Sequence, residues 1–304
     1  MKSFSTRSLA AAAAMLVTAA ACSGRTVSVG SPAASSSTDN VRRIRSQGAP
    51  LGVQLWTFRE QIKADPVAAL AMVRRVGFTH VETAGLAGMS AAKFGETLNA
   101  AGLRATSMHV GYDDLKNKPD SVIANARALG AKYVGLAWYP HQGAFTEADA
   151  RKAIVDFNSF GRTMKAAGLT FFYHNHGYEP VKFGDGTLMD VLIQGTDPSL
   201  VKFELDVLWA FLPGIDPVAI IQKYPGRFKL MHIKDMKPGI ARGSLSGGLP
   251  AEQQAAIGQG QVNWTALMAA AQQDGFEYYY IEDETTDPVN NVPPSIAYLE
   301  ALKF

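Results

Sequence analysis

The feature that most constrains the fold is a regular alternation of short strand-like segments with alanine-rich helical segments, which begins at Leu51. The strand-like segments are rich in β-branched and aromatic residues, and their bounds are 51–58, 78–84, 103–110, 132–139, 169–176, 201–208, 228–235 and 278–284. Alternation of this kind is typical of parallel sheets in which a helix connects each strand to the next. The sequence therefore predicts eight strand and helix units.

Residues between the segments mark where the helices begin and end. Capping residues, or a cap followed by proline, stand at five predicted helix starts: Asp65-Pro66, Ser90, Thr146, Asp216-Pro217 and Asn263. Glycines stand where five helices must turn left-handed before the next strand: Gly77, Gly102, Gly130, Gly168 and Gly275. A closed (β/α)8 barrel, or TIM barrel, takes about 250 residues, so we expect a single barrel domain over residues 49–304. An open, doubly wound sheet is the alternative, but no glycine-rich phosphate loop follows the first strand.

The N-terminal residues have the features of an export signal. Lys2 and Arg7 precede an apolar, alanine-rich stretch that ends at Cys22, which predicts a signal peptide over residues 1–21. The three alanines before Cys22 resemble the lipobox of bacterial lipoproteins, so we expect Cys22 to carry the lipid, with an ordinary secretory signal as the alternative. Residues 23–48 are rich in Ser, Ala, Gly and Arg, which predicts a flexible tether. Together these features predict a periplasmic lipoprotein that contacts the membrane only through its anchor.

The formal net charge of +2 is misleading, because six basic residues and only Asp39 precede residue 49. Removing them from the 29 basic and 27 acidic residues leaves 23 and 26, a net charge of −3 for the domain. A mildly acidic domain is poorly suited to binding phosphate backbones, so we expect no nucleic-acid partner. Cys22 is the sole cysteine, so the domain can form no internal disulfide.

Polar side chains end most of the predicted strands, which is where a (β/α)8 barrel carries its chemistry. They are Glu82, His109, His174, His176, Glu204, Asp206, His232, Lys234, Asp235 and Glu282. Strand alternation allows four of them to face the barrel interior together, namely His174, Asp206, His232 and Glu282. Two imidazoles and two carboxylates suit one divalent ion of manganese, cobalt, zinc or iron. A single residue of this kind is more often structural, but burying several carboxylates together without a cation is costly.

The sequence resembles the xylose isomerase-like TIM barrels, also called the sugar phosphate isomerase/epimerase superfamily, from about Leu51 to the C-terminus. The motifs that carry the resemblance are Gly52-Val53-Gln54-Leu55, Val81-Glu82, Tyr173-His174-Asn175-His176, Glu204-Leu205-Asp206-Val207-Leu208-Trp209, His232-Ile233-Lys234-Asp235, the loop 258–264 and Ile281-Glu282. The resemblance implies metal ligands on strands five to eight, the last three being Asp206, His232 and Glu282. Many relatives have Glu-Asn-His on strand five, where this chain has a histidine first. We therefore expect His174 to be the first ligand, with His176 or Glu179 as alternatives.

The resemblance also implies an enzyme that removes a proton next to a carbonyl and stabilises the resulting enediolate with the metal. The expected base is Glu282, Glu82 or Glu179, and Lys234 or His109 is the expected acid or oxyanion partner. Reprotonation of the enediolate gives isomerisation or epimerisation, which is the usual description of the superfamily and our first interpretation. Family epimerases use two metal-bound glutamates, of which only Glu282 is retained here. Elimination of the aglycone from a 3-keto-glycoside, a lyase reaction, is therefore the alternative.

The expected substrate is a non-phosphorylated sugar or keto-sugar, because export and the lack of a phosphate loop argue against a sugar phosphate. Trp56, Trp138 and Trp209 are candidates for stacking on a sugar ring, with His176 as a further substrate contact, although packing explains the aromatic residues equally well. A non-catalytic carbohydrate-binding protein is a second alternative, and a nuclease is disfavoured by the domain charge. The sequence does not identify the sugar, the metal or the oligomeric state. A homo-oligomer is compatible with it.

Overall fold

A computed structural model describes residues 50–304. Eight parallel strands close into a barrel in which each strand pairs with its neighbours in the sequence and the first pairs with the last. Their bounds are β1 Leu51–Gln54, β2 His80–Ala84, β3 Arg104–Val110, β4 Tyr133–Leu136, β5 Thr170–His174, β6 Val201–Asp206, β7 Phe228–Ile233 and β8 Tyr278–Ile281. The predicted (β/α)8 barrel is confirmed. The predicted signal peptide (1–21), lipidation site (Cys22) and tether (23–48) lie outside the described residues.

Helices occupy the connections between the strands. They are α1 Arg59–Ala64, α2 Pro66–Val76, α3 Ala91–Ala100, α4 Tyr112–Asn117, α5 Pro119–Leu129, α6 Glu147–Ala166, α7 Leu188–Gly195, α8 Val207–Phe211, α9 Pro217–Lys223, α10 Trp264–Asp274 and α11 Pro288–Ala301. The connections after β5 and β7 also contain short antiparallel strand pairs, Lys182–Phe183 with Gly186–Thr187 and Asp235–Met236 with Gln254–Ala255. Within residues 50–304, no helix combines the length and apolar character needed to cross a membrane.

Local sequence sets the points where the chain reverses. Asp65 accepts a hydrogen bond from the backbone of Ala68 at the start of α2, and Thr146 forms a reciprocal capping box with Asp149 at the start of α6. The five glycines predicted at helix ends all have φ between 75° and 114°, the left-handed region that glycine adopts without a steric penalty. These predicted helix bounds are confirmed. They could be predicted because each depends on a cap or a glycine within a few residues of the helix end.

Several strands end earlier than predicted at the mouth of the barrel. β1 stops at Gln54 and continues as a turn of 3-10 helix, Leu55–Phe58, and β6 stops at Asp206, which caps α8. Both continuations are apolar, and an apolar run by itself does not distinguish a buried strand from a buried helical turn. The polar residues therefore lie at the strand ends and on the first residues of the connections.

An apolar cluster of four side chains, Tyr133, Phe172, Leu230 and Tyr280, fills the barrel interior below the mouth. A glycine makes room for it, since a Cβ atom on Gly135 would lie 2.1 Å from the Phe172 ring. A separate and larger core lies around the barrel, where the strands pack against the helices. The polar residues at the mouth thus rest on a packed apolar layer, three of whose four side chains are aromatic.

Alternation along the strands places the polar layer directly above this cluster. His174, His232 and Glu282 each follow a member of the cluster by two residues, and side chains two apart on a strand point to the same side. The inward direction that was inferred for these three residues from alternation therefore agrees with the structure.

We predict that Gly135→Ala destabilises the barrel by about 1–3 kcal/mol, the usual cost of overpacking a filled interior. The added methyl group has no space beside the Phe172 ring. Gly248→Ala is the matched control, because no atom of residues 50–304 lies within 4 Å of a Cβ atom there. Urea unfolding of both variants measures the difference, and equal midpoints for the two would contradict the packing described here.

Candidate metal centre

Four side chains from neighbouring strands converge at the mouth of the barrel, and we call them the upper ligand group: His174, Asp206, His232 and Glu282. His232 Nδ1 lies 3.0 Å from Glu282 Oε2 and 3.8 Å from Asp206 Oδ2. His174 Nε2 lies 3.7 Å from the same Asp206 oxygen. Separations of this size are comparable to those between ligands that share one metal ion with bonds of about 2.0–2.2 Å. Three of the four residues predicted as metal ligands, Asp206, His232 and Glu282, offer atoms within 4.8 Å of one another, and the fourth, His174, approaches this trio through Asp206.

Two further carboxylates, Glu82 and Glu204, lie beneath the upper ligand group, and neither is exposed. Glu82 Oε1 is 2.6 Å from His232 Nε2, and Glu204 Oε2 is 2.9 Å from His174 Nδ1. An ionised carboxylate can only accept a hydrogen bond, so each fixes a proton on the lower nitrogen of its histidine. Burial lowers the pKa of His174 well below its usual value, so its upper nitrogen is left as a metal donor, the arrangement found where a carboxylate orients a histidine ligand. Burial would also lower the pKa of His232, but the neighbouring glutamates raise it instead, so its upper nitrogen, 3.0 Å from Glu282 Oε2, would release a proton when it binds a cation.

Among the described residues, two buried carboxylate oxygens of this cluster have no hydrogen-bond partner, Asp206 Oδ2 and Glu204 Oε1, although the Lys234 ammonium lies 3.3 Å from Asp206 Oδ2. Buried polar atoms are almost always hydrogen-bonded, because an unpaired one has lost its water without replacement. Asp206 Oδ2 is also the oxygen that faces both histidines of the upper ligand group. These unpaired oxygens and the mixture of imidazole and carboxylate donors fit a divalent cation.

The electrostatics of the cluster also favour a bound cation. Burial raises the pKa of Asp206 to about 6, against the opposing effect of Lys234. Burial and the adjacent Glu82 raise the pKa of Glu204 to about 7. Burial alone would lower the pKa of His109, but the two neighbouring glutamates raise it to about 9. The protein's own positive charges therefore leave negative charge only partly compensated, and a divalent cation would supply the remainder.

A second set of potential ligands overlaps the first. His109, His174, Glu204 and His232 offer atoms that all lie within 4.8 Å of one another, as do Asp206, His232 and Glu282. Of the three carboxylates in these sets, Glu282 lines the open cleft above the centre, whereas Asp206 and Glu204 are fully buried. A cation held by the upper ligand group would therefore be within reach of a substrate.

The cleft above the centre, called here the central cleft, has a volume of about 370 Å³. Seven of the residues predicted as site residues line it: Trp56, His109, Trp138, His174, His176, Lys234 and Glu282. Trp56 and Trp138 are 46% and 45% exposed, so both rings offer surface to a ligand. His176 contributes a ring nitrogen, Nδ1, that has no hydrogen-bond partner. A volume of this size is within the range of small-molecule sites.

Other predicted site residues lie away from the central cleft. Glu179 is fully buried, where its carboxylate accepts hydrogen bonds from the Tyr173 hydroxyl and the His176 backbone. Trp209 is also buried, behind Lys234, whose Nζ lies 4.9 Å from the ring centroid. Glu82 lies beneath His232. The structure thus gives no support to Glu179 or Glu82 as a base, or to Trp209 as a substrate contact, since none of the three lines the cleft.

Lys234 connects the centre to an acidic residue that the sequence analysis did not select, Glu284. Lys234 Nζ lies 2.7 Å from Glu282 Oε2, 2.8 Å from Glu284 Oε2 and 3.3 Å from Asp206 Oδ2. Burial opposes the charge of Lys234, but these three carboxylates raise its pKa well above the usual value. Lys234 is therefore a fixed cation between the upper ligand group and Glu284.

Three residues of this site received no role from the sequence, although each carried a signal. Glu204 has the same strand parity as Asp206, and Glu284 has the same parity as Glu282. Gln54 ends β1, where its side-chain amide donates to Glu82 Oε1 at 2.7 Å. Each would have been found by extending the alternation argument to every polar residue at a strand end.

An eight-stranded parallel barrel with histidines and carboxylates gathered at the carboxyl ends of its strands defines a TIM barrel with a candidate metal centre. Residues 70–303 match the family described as xylose isomerase-like TIM barrel. The chain belongs to this family, as the resemblance in its motifs implied.

Two of the curated proteins that are similar to this chain are inosose dehydratases. Inosose dehydratase from Lacticaseibacillus casei is 26% identical over 200 residues, 58% of this chain and 65% of that protein. Inosose dehydratase from Clostridium tetani is 25% identical over 166 residues, 53% of this chain and 55% of that protein. The chain therefore spans between half and two thirds of the length of these curated relatives.

Among solved structures, a sugar phosphate isomerase/epimerase from Parabacteroides distasonis is 25% identical with a TM-score of 0.67, over 83% of this chain and 97% of that chain. The IOLI protein has a TM-score of 0.61 at 14% identity, over 82% of this chain and 95% of that chain. The second likeness shows a shared fold.

We predict a graded loss of metal affinity in two variants. Asp206→Asn should remove most of the bound metal, because the amide keeps the shape of the side chain but replaces the charged oxygen. Glu82→Gln should keep the metal with about 10- to 100-fold lower affinity, the usual effect of losing the partner that orients a histidine ligand. Competition with a chromophoric chelator and elemental analysis measure both.

Glu284→Gln serves as the control, because Glu284 stands outside the upper ligand group and should leave metal content at the wild-type level. A full complement of metal in the double variant Asp206→Asn, His232→Ala would contradict the assignment of the cation to these ligands.

Proposed function

We propose that this protein is a divalent-metal-dependent carbon–oxygen lyase that acts on a cyclic keto-sugar. In this reaction a base removes the proton on the carbon next to the ketone, and the oxygen substituent on the following carbon departs. The products are an unsaturated ketone and the released alcohol or water. The proposal selects the lyase alternative of the sequence analysis over isomerisation and epimerisation.

The observation that carries the proposal is the one-sided distribution of carboxylates around the central cleft. Among the described residues that line it, Glu282 and Glu284 are the acidic ones, and both follow β8. The titratable lining residues at the ends of β3 and β5 are histidines: His109, His174 and His176. Epimerisation by two glutamates needs a carboxylate on each face of the sugar, whereas elimination needs one carboxylate on one face.

Glu284 is the proposed base. Its side chain lines the central cleft and is 21% exposed, and it is not part of the upper ligand group. Glu284 takes the proton, and the electron pair of the carbon–hydrogen bond is delocalised onto the ketone oxygen as an enolate. This pair then forms the carbon–carbon double bond while the carbon–oxygen pair leaves with the departing oxygen. When both bonds lie on the same face of the ring, Glu284 then returns the proton to the departing oxygen and is regenerated.

Two neighbours assist this chemistry. Lys234 is positioned to offer a positive charge to the oxygen of the ketone as electrons move onto it. His176 has an unpaired ring nitrogen at the cleft wall, which suits a hydrogen bond to a sugar hydroxyl. A divalent cation held by His174, Asp206, His232 and Glu282 would polarise the ketone and stabilise the negative charge that develops on its oxygen.

The comparisons support the reaction type. The curated relatives are named dehydratases, and a dehydratase eliminates water, which is a carbon–oxygen lyase reaction. The IOLI structure is described as having a bound zinc atom, which supports a divalent metal in this fold. Isomerisation or epimerisation is the second candidate, favoured by the name of the Parabacteroides distasonis structure.

We predict that the metal-loaded protein, incubated with a 3-keto-glycoside in deuterated water, releases the aglycone and forms an enone. Glu284→Gln should lose about 100-fold or more of this activity, the scale of general-base catalysis, while retaining its metal. Glu282→Gln should lose metal and activity together. Product analysis by mass spectrometry and the absorbance of the enone measure the outcome.

Other results would identify the alternatives. Deuterium in recovered 3-keto-glycoside or free ketose without release of the aglycone would contradict the lyase and favour an isomerase or epimerase. Binding of the sugar by the metallated protein without deuterium exchange or release would favour a carbohydrate-binding protein.

We also propose that the chain is exported and anchored through a lipid on Cys22, on the N-terminal sequence features described above. Mass spectrometry of the full chain expressed in a bacterium should find a mature N-terminus at Cys22 carrying fatty acids. Cys22→Ser should remain unlipidated and leave the membrane fraction. An unmodified Cys22 in protein that retains residues 1–21 would contradict export by this route.

A further inference from the structure

A second cleft adjoins the central cleft on the side of the mouth formed by β1 and β2. It has a volume of about 510 Å³, and it shares Trp56 and Ala84 with the central cleft. We call it the side cleft; its other walls come from the connections that follow β1 and β2. A substrate confined to the central cleft would leave this larger space unused.

The walls of the side cleft combine apolar surface with positive charge. Ile62 and Phe94 contribute apolar surface, and the Phe94 ring is held in the core. Arg59 and Lys63 add two cations against one acidic residue, Glu60. Aromatic rings pack well on apolar side chains and attract guanidinium and ammonium groups to their faces. These walls therefore suit a flat aromatic group.

Trp56 stands where the two clefts meet, and its neighbours fix its ring. The indole Nε1 donates to Glu284 Oε1 at 3.0 Å, and the Arg59 guanidinium lies 5.2 Å from the ring centroid. The residue is nevertheless 46% exposed, which leaves ring surface for a ligand. Ala84, the other shared residue, has a small exposed side chain that keeps the passage open.

The hydrogen bond between Trp56 and Glu284 holds the proposed base next to the opening between the two clefts. Glu284 is the proposed base that returns its proton to the departing oxygen, so this oxygen must lie next to Glu284. A group attached to that oxygen then extends past Trp56 into the side cleft. Another cleft, beside Trp138 and Tyr178, shares only Trp138 with the central cleft, and its described lining residues include no carboxylate.

From this arrangement we infer that the side cleft binds the leaving group of the substrate, and that this group is aromatic. The substrate class is then an aryl keto-glycoside, with the keto-sugar ring in the central cleft and the aryl ring in the side cleft. This inference rests on the proposed lyase function for the bond that breaks, but the binding of the aryl ring is separable from it.

A binding experiment tests the subsite without turnover. Phenyl and methyl glucosides of the same anomeric configuration, which lack the ketone, are titrated into the full metal-loaded chain by calorimetry. The phenyl glucoside should bind about tenfold more tightly or better, because its ring is withdrawn from water. Ile62→Trp, which fills the side cleft, should abolish this preference. Val67→Trp adds the same ring nearby, on a residue that does not line the side cleft, and should retain it.

The corresponding keto-glycosides test the link to catalysis. The wild type should show a kcat/KM about tenfold or more higher for the phenyl than for the methyl compound, and Ile62→Trp should bring the two values together. Lys63→Trp, at an exposed position on the same wall, is the second filling variant in case Ile62→Trp fails to fold.

The two hypotheses fail in different ways. Tighter binding of the phenyl compound without turnover of either keto-glycoside would contradict the lyase function and support the aryl subsite. Equal binding and equal turnover of the phenyl and methyl compounds would contradict the aryl subsite and support the lyase function. A phenyl preference that is abolished by Trp138→Ala but retained in both filling variants would overturn it as well, because the aryl ring would then lie beside Trp138.

Discussion

The concentration of carboxylates at one end of the barrel is the constraint on which the rest of the site depends. Glu82, Glu204, Asp206 and Glu282 are all buried, and burying like charges together is unfavourable unless positive charge is close by. Lys234 and the histidines supply part of that charge, yet two carboxylate oxygens still lack a hydrogen-bond partner. The geometry of the whole mouth is explained most simply by a cation that completes the set.

The two lower carboxylates have a role that differs from that of the ligands above them. The pairing of β2 with β3 shifts register at Glu82, and the pairing of β6 with β7 shifts register at Glu204. In each case the extra residue lies on the partner strand, Thr106 on β3 and Lys229 on β7, and such bulges are common beside active sites. The two carboxylates opposite the bulges meet His232, Glu82 Oε1 at 2.6 Å and Glu204 Oε2 at 3.2 Å from its Nε2. Irregular strand pairing therefore accompanies both carboxylates that lie beneath the upper ligand group.

Much of this molecule follows from short-range rules. The helix starts at Asp65 and Thr146 and the reversal at Gly77 depend on residues within one turn, so the sequence was sufficient to predict them. The ends of β1 and β6 were predicted too late, because an apolar run has the same pattern in a buried strand and in the helical turn that follows it. Glu179 was retained as a candidate ligand and base for a similar reason: its distance along the chain from His176 is short, but its carboxylate turns back to the backbone.

The amino-acid sequence was sufficient to predict the eightfold alternation of strands and helices, the family, and the parity that directs His174, Asp206, His232 and Glu282 inward. Each of these is encoded by spacing along the chain, which a single sequence displays directly. The folded structure was needed to show which ring nitrogen faces which carboxylate, that Glu284 contacts Lys234 and Trp56, and that a second cleft opens beside the first. These features depend on distances between side chains that are far apart in the sequence, and such distances are set only when the barrel closes.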